Sequence, residues 1–552
     1  MAAVFMLILT AVLAVCLPTR ARAAATVDAS PDWYFDGPTG TLTIYTNAAA
    51  NSTQSVYWRN HAQFDTGPER EAVERIVISE GVTEIGESAF DWCHTITDVT
   101  FPATLKTIGR GAFRQSQFTD ITFPAGSSLE VIGSEAFTWC NALTSLDLSA
   151  CLKLQTFGER AFSRCDLLRD VTFPATNTLT SIGNYAFSST PARGDIDLSV
   201  CTGLLNTGSY AFYESGVTSV KLPDSLETLG VYGFYRCPRL LAADISNTKI
   251  KQFGYGAFSV CAALESVNLP ATVELIGNSA FSNLPRLRTV NFEDLTSLRT
   301  IESSAFLYCV SLQSAIFAEG LETIESGAFQ YTGIKTLVLP STVTSLAAYA
   351  FSGSANLKTA DLSKAVNLKE LMQGCFNESY SLETVLLPEG LEKIEYNAFS
   401  SCTSLLSVEF PSTLKEIGVN AFQYCTSLTS VDFSKCDNLT FIDNDVFYDD
   451  PLIVLTFGEN MPYDGGKDYI FRDSHPNEPN QTAPRQTVFY PYGVTFNDNA
   501  LEEYIDPGSG YWNNWARDSL PQAKPSMPTY EAKVGEYDAV ISVDEIARDW
   551  DI

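Results

Sequence analysis

The chain has 552 residues, 45% of them hydrophobic and 18% charged, which excludes wholesale disorder and leaves room for several domains or one long array. With 65 acidic against 35 basic side chains the formal net charge is −30. That charge disfavours nucleic acid and anionic membrane surfaces, which select basic patches, and suits an exported protein or one that meets cations or basic partners.

In chain order, residues 1–23 read as a signal peptide. An apolar run from Val4 to Leu17 is followed by Pro18 and by Ala21-Arg22-Ala23, a small-residue cleavage pattern. The run is short for a membrane span, and no other stretch approaches one. No transmembrane segment is therefore expected after signal removal. Residues 24–78 read as a β-rich N-terminal cap. Trp33-Tyr34-Phe35-Asp36-Gly37, Gly40-Thr41-Leu42-Thr43-Ile44 and Arg75-Ile76-Val77-Ile78 have strand character, and the open end of a repeat array needs covering.

Residues 79–457 are dominated by self-similarity. An aromatic anchor, usually in an Ala-Phe pair, recurs from Phe90 through Phe113, Phe137 and Phe162 to Phe422 and Phe447. There are sixteen anchors at gaps of 22–25 residues, inside the range of leucine-rich repeats. One clean unit contains Ile276-Gly277-Asn278-Ser279-Ala280-Phe281. Six residues after each anchor comes an L-x-x-V-x-L core, as in Leu264, Val267 and Leu269 or Leu405, Val408 and Phe410. Strand side chains alternate, so these residues point inward and those between them outward. Pro ends the strand at Pro102, Pro270, Pro340 and Pro411, because it has no N–H for a further ladder bond. Gly86, Gly133, Gly183 and Gly277 supply backbone freedom for a turn, and the Ala-Phe segment reads as a helical or 3₁₀ piece. The expected fold is an α/β-type repeat solenoid of about 16 leucine-rich repeats. Each repeat has one short strand plus a helical or 3₁₀ turn, and both ends carry β-rich caps.

After each strand a small polar residue, such as Ser225, Thr272, Thr342 or Thr413, is expected to form a ladder that bonds loop backbone. After Phe457 the pattern stops. Residues 458–520, with Thr487 to Pro491, Trp512 and Trp515, read as a C-terminal cap, and 521–552 as a linker or tail.

Catalytic signatures are sought and not found. His61, His94 and His475 stand singly, and there is no H-E-x-x-H, P-loop, dinucleotide-binding glycine set or nucleophile elbow. The expectation is a protein that is not an enzyme and has no cofactor and no metal. Asp443-Asn444-Asp445 with Asp449-Asp450 reads as a solvated loop, since the central Gly and terminal Glu of an EF-hand are missing. Eight cysteines stand three residues after the anchor, among them Cys140, Cys165 and Cys309, and Ser or Thr replaces them in other units. That exchange points to half-buried filler with free thiols.

The binding candidates lie on the outward strand positions. Ile316, Val338 and Leu386 put apolar side chains on an otherwise polar stripe, a mark of contact surfaces. Ordinary strand filler is the alternative. Asp98, Asp120, Asp147, Asp170, Asp195 and Asp197 make the early half acidic and suited to steering basic partners.

Repeats of the form I-G-x-x-A-F-x-x-C-x-x-L-x-x-V-x-L-P resemble the BspA-like leucine-rich-repeat family of bacterial surface and secreted proteins, over residues 76–457. The resemblance implies a secreted or cell-surface, adhesin-like scaffold. Its repeat face would bind a protein or glycoprotein, on a host or neighbouring cell. The alternatives are a structural envelope component and the targeting module of an enzyme whose catalytic domain is missing. The family shares no binding residues by motif, so the resemblance assigns none.

Overall fold

Each repeat makes one coil, and about 15 coils stack into a solenoid of mostly parallel strands. A computed structural model describes residues 28–29, 32–50, 73–191, 194–448, 450–452, 454–457, 486–490 and 515–519. The signal segment 1–23, the tail 521–552 and most of 458–520 lie outside the described residues.

A coil contains two strands, not one. The first is the L-x-x-V-x-L core: Ser266–Asn268 pairs in parallel with Ala242–Asp244 before it and Thr289–Val290 after it. Val267 is buried while Ser266 and Asn268 are exposed, as the period-two alternation requires. The second, which the sequence reading missed, is only two residues long. Leu275–Ile276 pairs with Gln252–Phe253 and with Thr300–Ile301, and Ile276 is buried.

The sixteen anchor phenylalanines form one continuous column through the core. Every successive pair from Phe90 to Phe447 is stacked, with centroids 4.8–5.8 Å apart and planes within 4–17°. Offset stacking of this kind adds ~0.5–1.5 kcal/mol per pair to the area buried.

The Ala-Phe segment is not helical. Two residues before and two after Phe281, Ser279 and Asn283 have φ of 54° and 55°, which no right-handed helix accommodates. The N–H groups of Ala280 and Ser282 close turns onto the carbonyls of Gly277 and Ser279, three residues back. Those of Ser279, Phe281 and Asn283 donate instead to Ser303, Ala305 and Leu307 of the next coil, at 3.0, 2.9 and 2.7 Å. Alternate N–H groups thus leave the coil, so the backbone is satisfied by stacking rather than by local helix. Among the described residues the only helical pieces are Asn47–Ala50 and the 3₁₀ turn Phe292–Asp294.

The glycine after Ile has a different reason from the one expected. Gly133, Gly183 and Gly277 are not left-handed. A Cβ on Gly133 would lie 2.8 Å from the backbone carbon of Gly109, and one on Gly277 only 2.2 Å from the Phe253 carbonyl oxygen. These glycines permit close approach of neighbouring coils.

The ends continue the first sheet. Trp33–Asp36 is antiparallel to Thr41–Ile44, which pairs in parallel with Arg75–Ile78 and so with Asp98–Thr100. Trp33, Phe35, Leu42 and Ile44 are buried over the first coil. At the far end Val454–Phe457, Gln486–Tyr490 and Trp515–Ser519 add in parallel, the last two beyond the point where the sequence period is lost.

Candidate binding surfaces

Stacked coils expose three long surfaces: the face of the three-residue strands, the face of the two-residue strands, and the turn edge around the anchors. The first carries every candidate named from the sequence. Pairing places Ile316 beside Val338, Val338 beside Asp361, Asp361 beside Leu386, and Leu386 beside Glu409. Ile316 and Val338 are half-buried and Leu386 is 42% exposed. The apolar trio is therefore split by a carboxylate.

The acidic candidates have mixed employment. Asp120 and Asp170 flank Ser145 in one row. Asp120 accepts a hydrogen bond from the Ser145 hydroxyl, and that bond, with another from Thr119, holds its carboxyl below the usual range. Asp98 pairs with Arg75 at 2.8 Å, and Asp170 lies 3.9 Å from Arg169. Asp195 accepts from the Thr218 hydroxyl. Asp147 and Asp197 accept from the backbone N–H of Ser149 and Ser199, at 2.9 and 3.0 Å. Asp361 and Asp432 repeat this with Ser363 and Ser434. An Asp-apolar-Ser sequence thus closes the turn after the strand, a structural duty that lines of acidic residues conceal.

On the second face, charges alternate from coil to coil and bridge neighbouring coils. Lys251 meets Glu274 at 2.8 Å, Lys415 meets Glu392 at 2.6 Å, and Lys393 meets Glu416 at 3.2 Å. This face is already self-complementary.

The cysteines offer no reactive group. All twelve in the described residues are buried and unbridged, not half-buried as expected. Cys140, Cys165, Cys261 and Cys309 donate to the Phe carbonyl of the preceding coil at 3.0–3.3 Å. Ser379 does the same for Phe351, which explains why Ser exchanges with Cys there. Burial pushes the Cys165 and Cys309 thiols up to about 12. The small polar ladder does bond loop backbone: Ser225, Thr272, Thr342 and Thr413 donate to carbonyls one coil back at 2.7–2.8 Å. His94 lies 3.3 Å from the Gln115 carbonyl oxygen and edge-on to Trp92. His61 and His475 lie outside the described residues. Among the described residues no group of three or more His, Cys, Asp or Glu could hold a metal ion. Nor is any helix among them long and apolar enough to cross a membrane.

The turn edge holds what the sequence reading missed. Tyr185, Tyr210 and Tyr232 stand two residues before three successive anchors, and their rings stack at 4.7 and 4.9 Å. Tyr213 and Tyr235, one residue after their anchors, form a second row at 5.8 Å. Tyr255 meets Tyr232 edge-on at 5.1 Å and is 46% exposed. Recurrence of Tyr at a fixed distance from the anchor in consecutive units was the available signal.

Two short strands per coil, an aromatic core column and small polar ladders define a leucine-rich-repeat solenoid. The chain belongs to the BspA type leucine rich repeat family, whose model matches residues 69–193, 180–312, 244–358, 286–393 and 360–475. Among solved structures, a leucine-rich repeat protein from Bacteroides ovatus is similar at 18% identity and a TM-score of 0.44, over 90% of this chain and 99% of that one. The pneumococcal vaccine antigen PcpA is similar at 18% identity and a TM-score of 0.35, over 71% and 93%. A leucine rich cell surface protein from Faecalibacterium prausnitzii is similar at 20% identity and a TM-score of 0.31, over 66% and 95%. A search of curated proteins returns no match.

Proposed function

We propose that the protein is a non-catalytic, adhesin-like scaffold, secreted or held at the bacterial surface, that binds a protein or glycoprotein through its three-residue-strand face. The observation that carries this reading is the set Ile316, Val338 and Leu386, apolar side chains fixed outward in one sheet. Family membership and the signal-like residues 1–23 support an extracellular setting. Backbone pairing on both sides holds each side chain in place, so little ordering entropy is lost on docking. The acidic strand positions Asp98, Asp120, Asp170 and Asp195 favour approach of basic surfaces.

The test is capture of surface proteins and glycoproteins by immobilised residues 24–552. Changing Ile316, Val338 and Leu386 together to Ser should leave the melting temperature nearly unchanged. It should weaken capture by about tenfold or more, since each buried apolar anchor is worth ~1 kcal/mol or more. Unchanged capture would remove this trio from the site.

A further inference from the structure

We propose that the coil containing residues 289–294 is a flexure, at which the strand face opens and closes while the opposite face stays paired. The flexure is a property of the chain alone and does not depend on which partner the strand face binds.

The strand ladder is interrupted at this coil. Thr289–Val290 pairs backward with Ser266–Asn268 but not forward, and Ser314–Ile316 begins a separate sheet with Thr336–Val338. Asn291 is the cause. Elsewhere on this face the N–H after a strand donates to a main-chain carbonyl of the next coil: Leu198 to Lys221, Leu339 to Asp361 and Leu362 to Leu386, at 2.9–3.0 Å. Here the Asn291 side chain takes that role. Its Oδ1 accepts from the Leu269 N–H at 2.8 Å, and its Nδ2 donates to the Leu269 carbonyl at 3.0 Å. The Asn291 carbonyl is thereby released and accepts from the Asp294 N–H at 3.1 Å, beside the 3₁₀ turn Phe292–Asp294. With φ of −79° and ψ of 51°, Asn291 has left the extended region, so the strand stops after two residues.

The strand side of the junction is loosely held. The bonds at its margins are long, from the Gln313 N–H to the Arg288 carbonyl at 3.3 Å and from the Ala318 N–H to the Phe292 carbonyl at 3.2 Å. One coil further on, the Lys335 N–H reaches the Gln313 carbonyl at 2.9 Å and three residues pair in register beside it. The inward residue beyond the junction is Ala315, in a column that Val267, Val290 and Leu337 otherwise fill, so it adds little apolar burial. The strand face is also divided before Asp120, after Thr172 and after Glu409. The strands on both sides of those breaks keep three or four residues.

The other sides of the same junction are continuous. On the second face Leu275–Ile276, Thr300–Ile301 and Thr323–Ile324 pair without a gap. At the turn edge the N–H groups of Ser304, Phe306 and Tyr308 donate to Ser326, Ala328 and Gln330 of the next coil at 2.9, 2.7 and 3.0 Å, and Phe306 stacks on Phe329 at 5.1 Å. Phe292 lies edge-on to both rings, at 5.2 and 5.8 Å, a non-directional apolar contact that survives a small rotation. A stack tied along two sides and loosened on the third bends about the tied sides. Ile316, Val338 and Leu386 lie in the sheet beyond the junction, and Asp195 and Asp197 in the sheet before it. Bending therefore changes the angle between the apolar and the acidic parts of the face.

Pulsed electron double resonance on the full chain tests this, with nitroxides carried on a ketone-bearing unnatural amino acid so that the buried thiols are left alone. Three label pairs, each three coils apart, are compared. Positions 266 and 336 span the junction on the strand face, and 336 and 407 lie within one strand-face sheet. Positions 252 and 323 span the same junction on the second face. The first distance distribution should be about twofold broader than the other two, as a hinge on one side requires. Asn291→Val removes the side-chain amide and favours extended backbone, and should narrow the first distribution to the width of the second. Equal widths for all three pairs, whether narrow or broad, overturn the proposal. So does a first distribution that stays broad in a cooperatively melting Asn291→Val chain. Should that variant fail to melt cooperatively, the comparison of the three pairs in the unaltered background decides alone.

Discussion

Phe281 lies between Phe258 and Phe306, 5.5 Å from each, with no exposed surface. Phe281→Ala removes one member of a continuous column that cannot collapse locally, because the coils on both sides are pinned by backbone bonds. The expected cost is ~3–5 kcal/mol. Asn268 is exposed at the end of its strand, and Asn268→Ala should cost under ~0.5 kcal/mol. Denaturant melts of both variants check this, and equal costs would overturn the inward and outward assignment. Val260 is a β-branched residue at φ of 63°, a conformation that penalises the branch most. Val260→Gly removes a left-handed strain of ~1–2 kcal/mol and adds ~0.4–1 kcal/mol of chain entropy to the unfolded state. A small net gain in melting temperature is expected, and a loss would show that packing of the Val side chain outweighs the strain.

The cysteine column shows an element built from one interaction repeated along the stack. A thiol three residues after the anchor donates to the Phe carbonyl one coil back, so its place depends on stacking rather than on redox chemistry. Titration of residues 24–552 with a thiol reagent should find almost nothing in native protein and twelve groups after denaturation without reductant. Recovery of only a few groups would mean that bridges exist. The same element shows what the sequence made legible. The anchors and the L-x-x-V-x-L strand were plain because burial repeats them at a fixed period with one residue type. The second strand escaped notice because two residues are too few for alternation to register. The turn was misread because Ala carries helical propensity, while the left-handed positions hold Ser279, Tyr308 and Glu378 rather than glycine alone. Gly111, Gly327 and Gly374 in the same column were the clue. The tyrosine strip escaped because outward positions were sought on strands, not on turns.

At the scale of the whole molecule, the buried thiols act together on pH dependence. An unfolded thiol loses its proton near pH ~8.5, whereas Cys151, Cys165, Cys201 and Cys309 hold theirs to about 11, 12, 12 and 12. Between those values the folded state binds more protons than the unfolded one, so stability falls as pH rises through this window and is unaffected below it. Melting temperature measured from pH 7 to pH 11 should decline from pH ~8.5 upward, and Cys309→Ser should decline less steeply. Identical slopes would assign the alkaline loss to other groups. The turns have a further effect on the molecule as a whole. At Ser279, Phe281 and Asn283, and again at Ser304, Phe306 and Tyr308, the inter-coil N–H groups all point towards the C-terminal end. Their carbonyl partners all point back. The N–H groups of Glu274, Leu275 and Gly277 point the other way, onto the Lys251 and Phe253 carbonyls of the preceding coil. Each coil thus carries peptide dipoles of both senses along the long axis, which offset one another, so the stack gains cohesion from its backbone bonds without the end-to-end macrodipole of an α-helix.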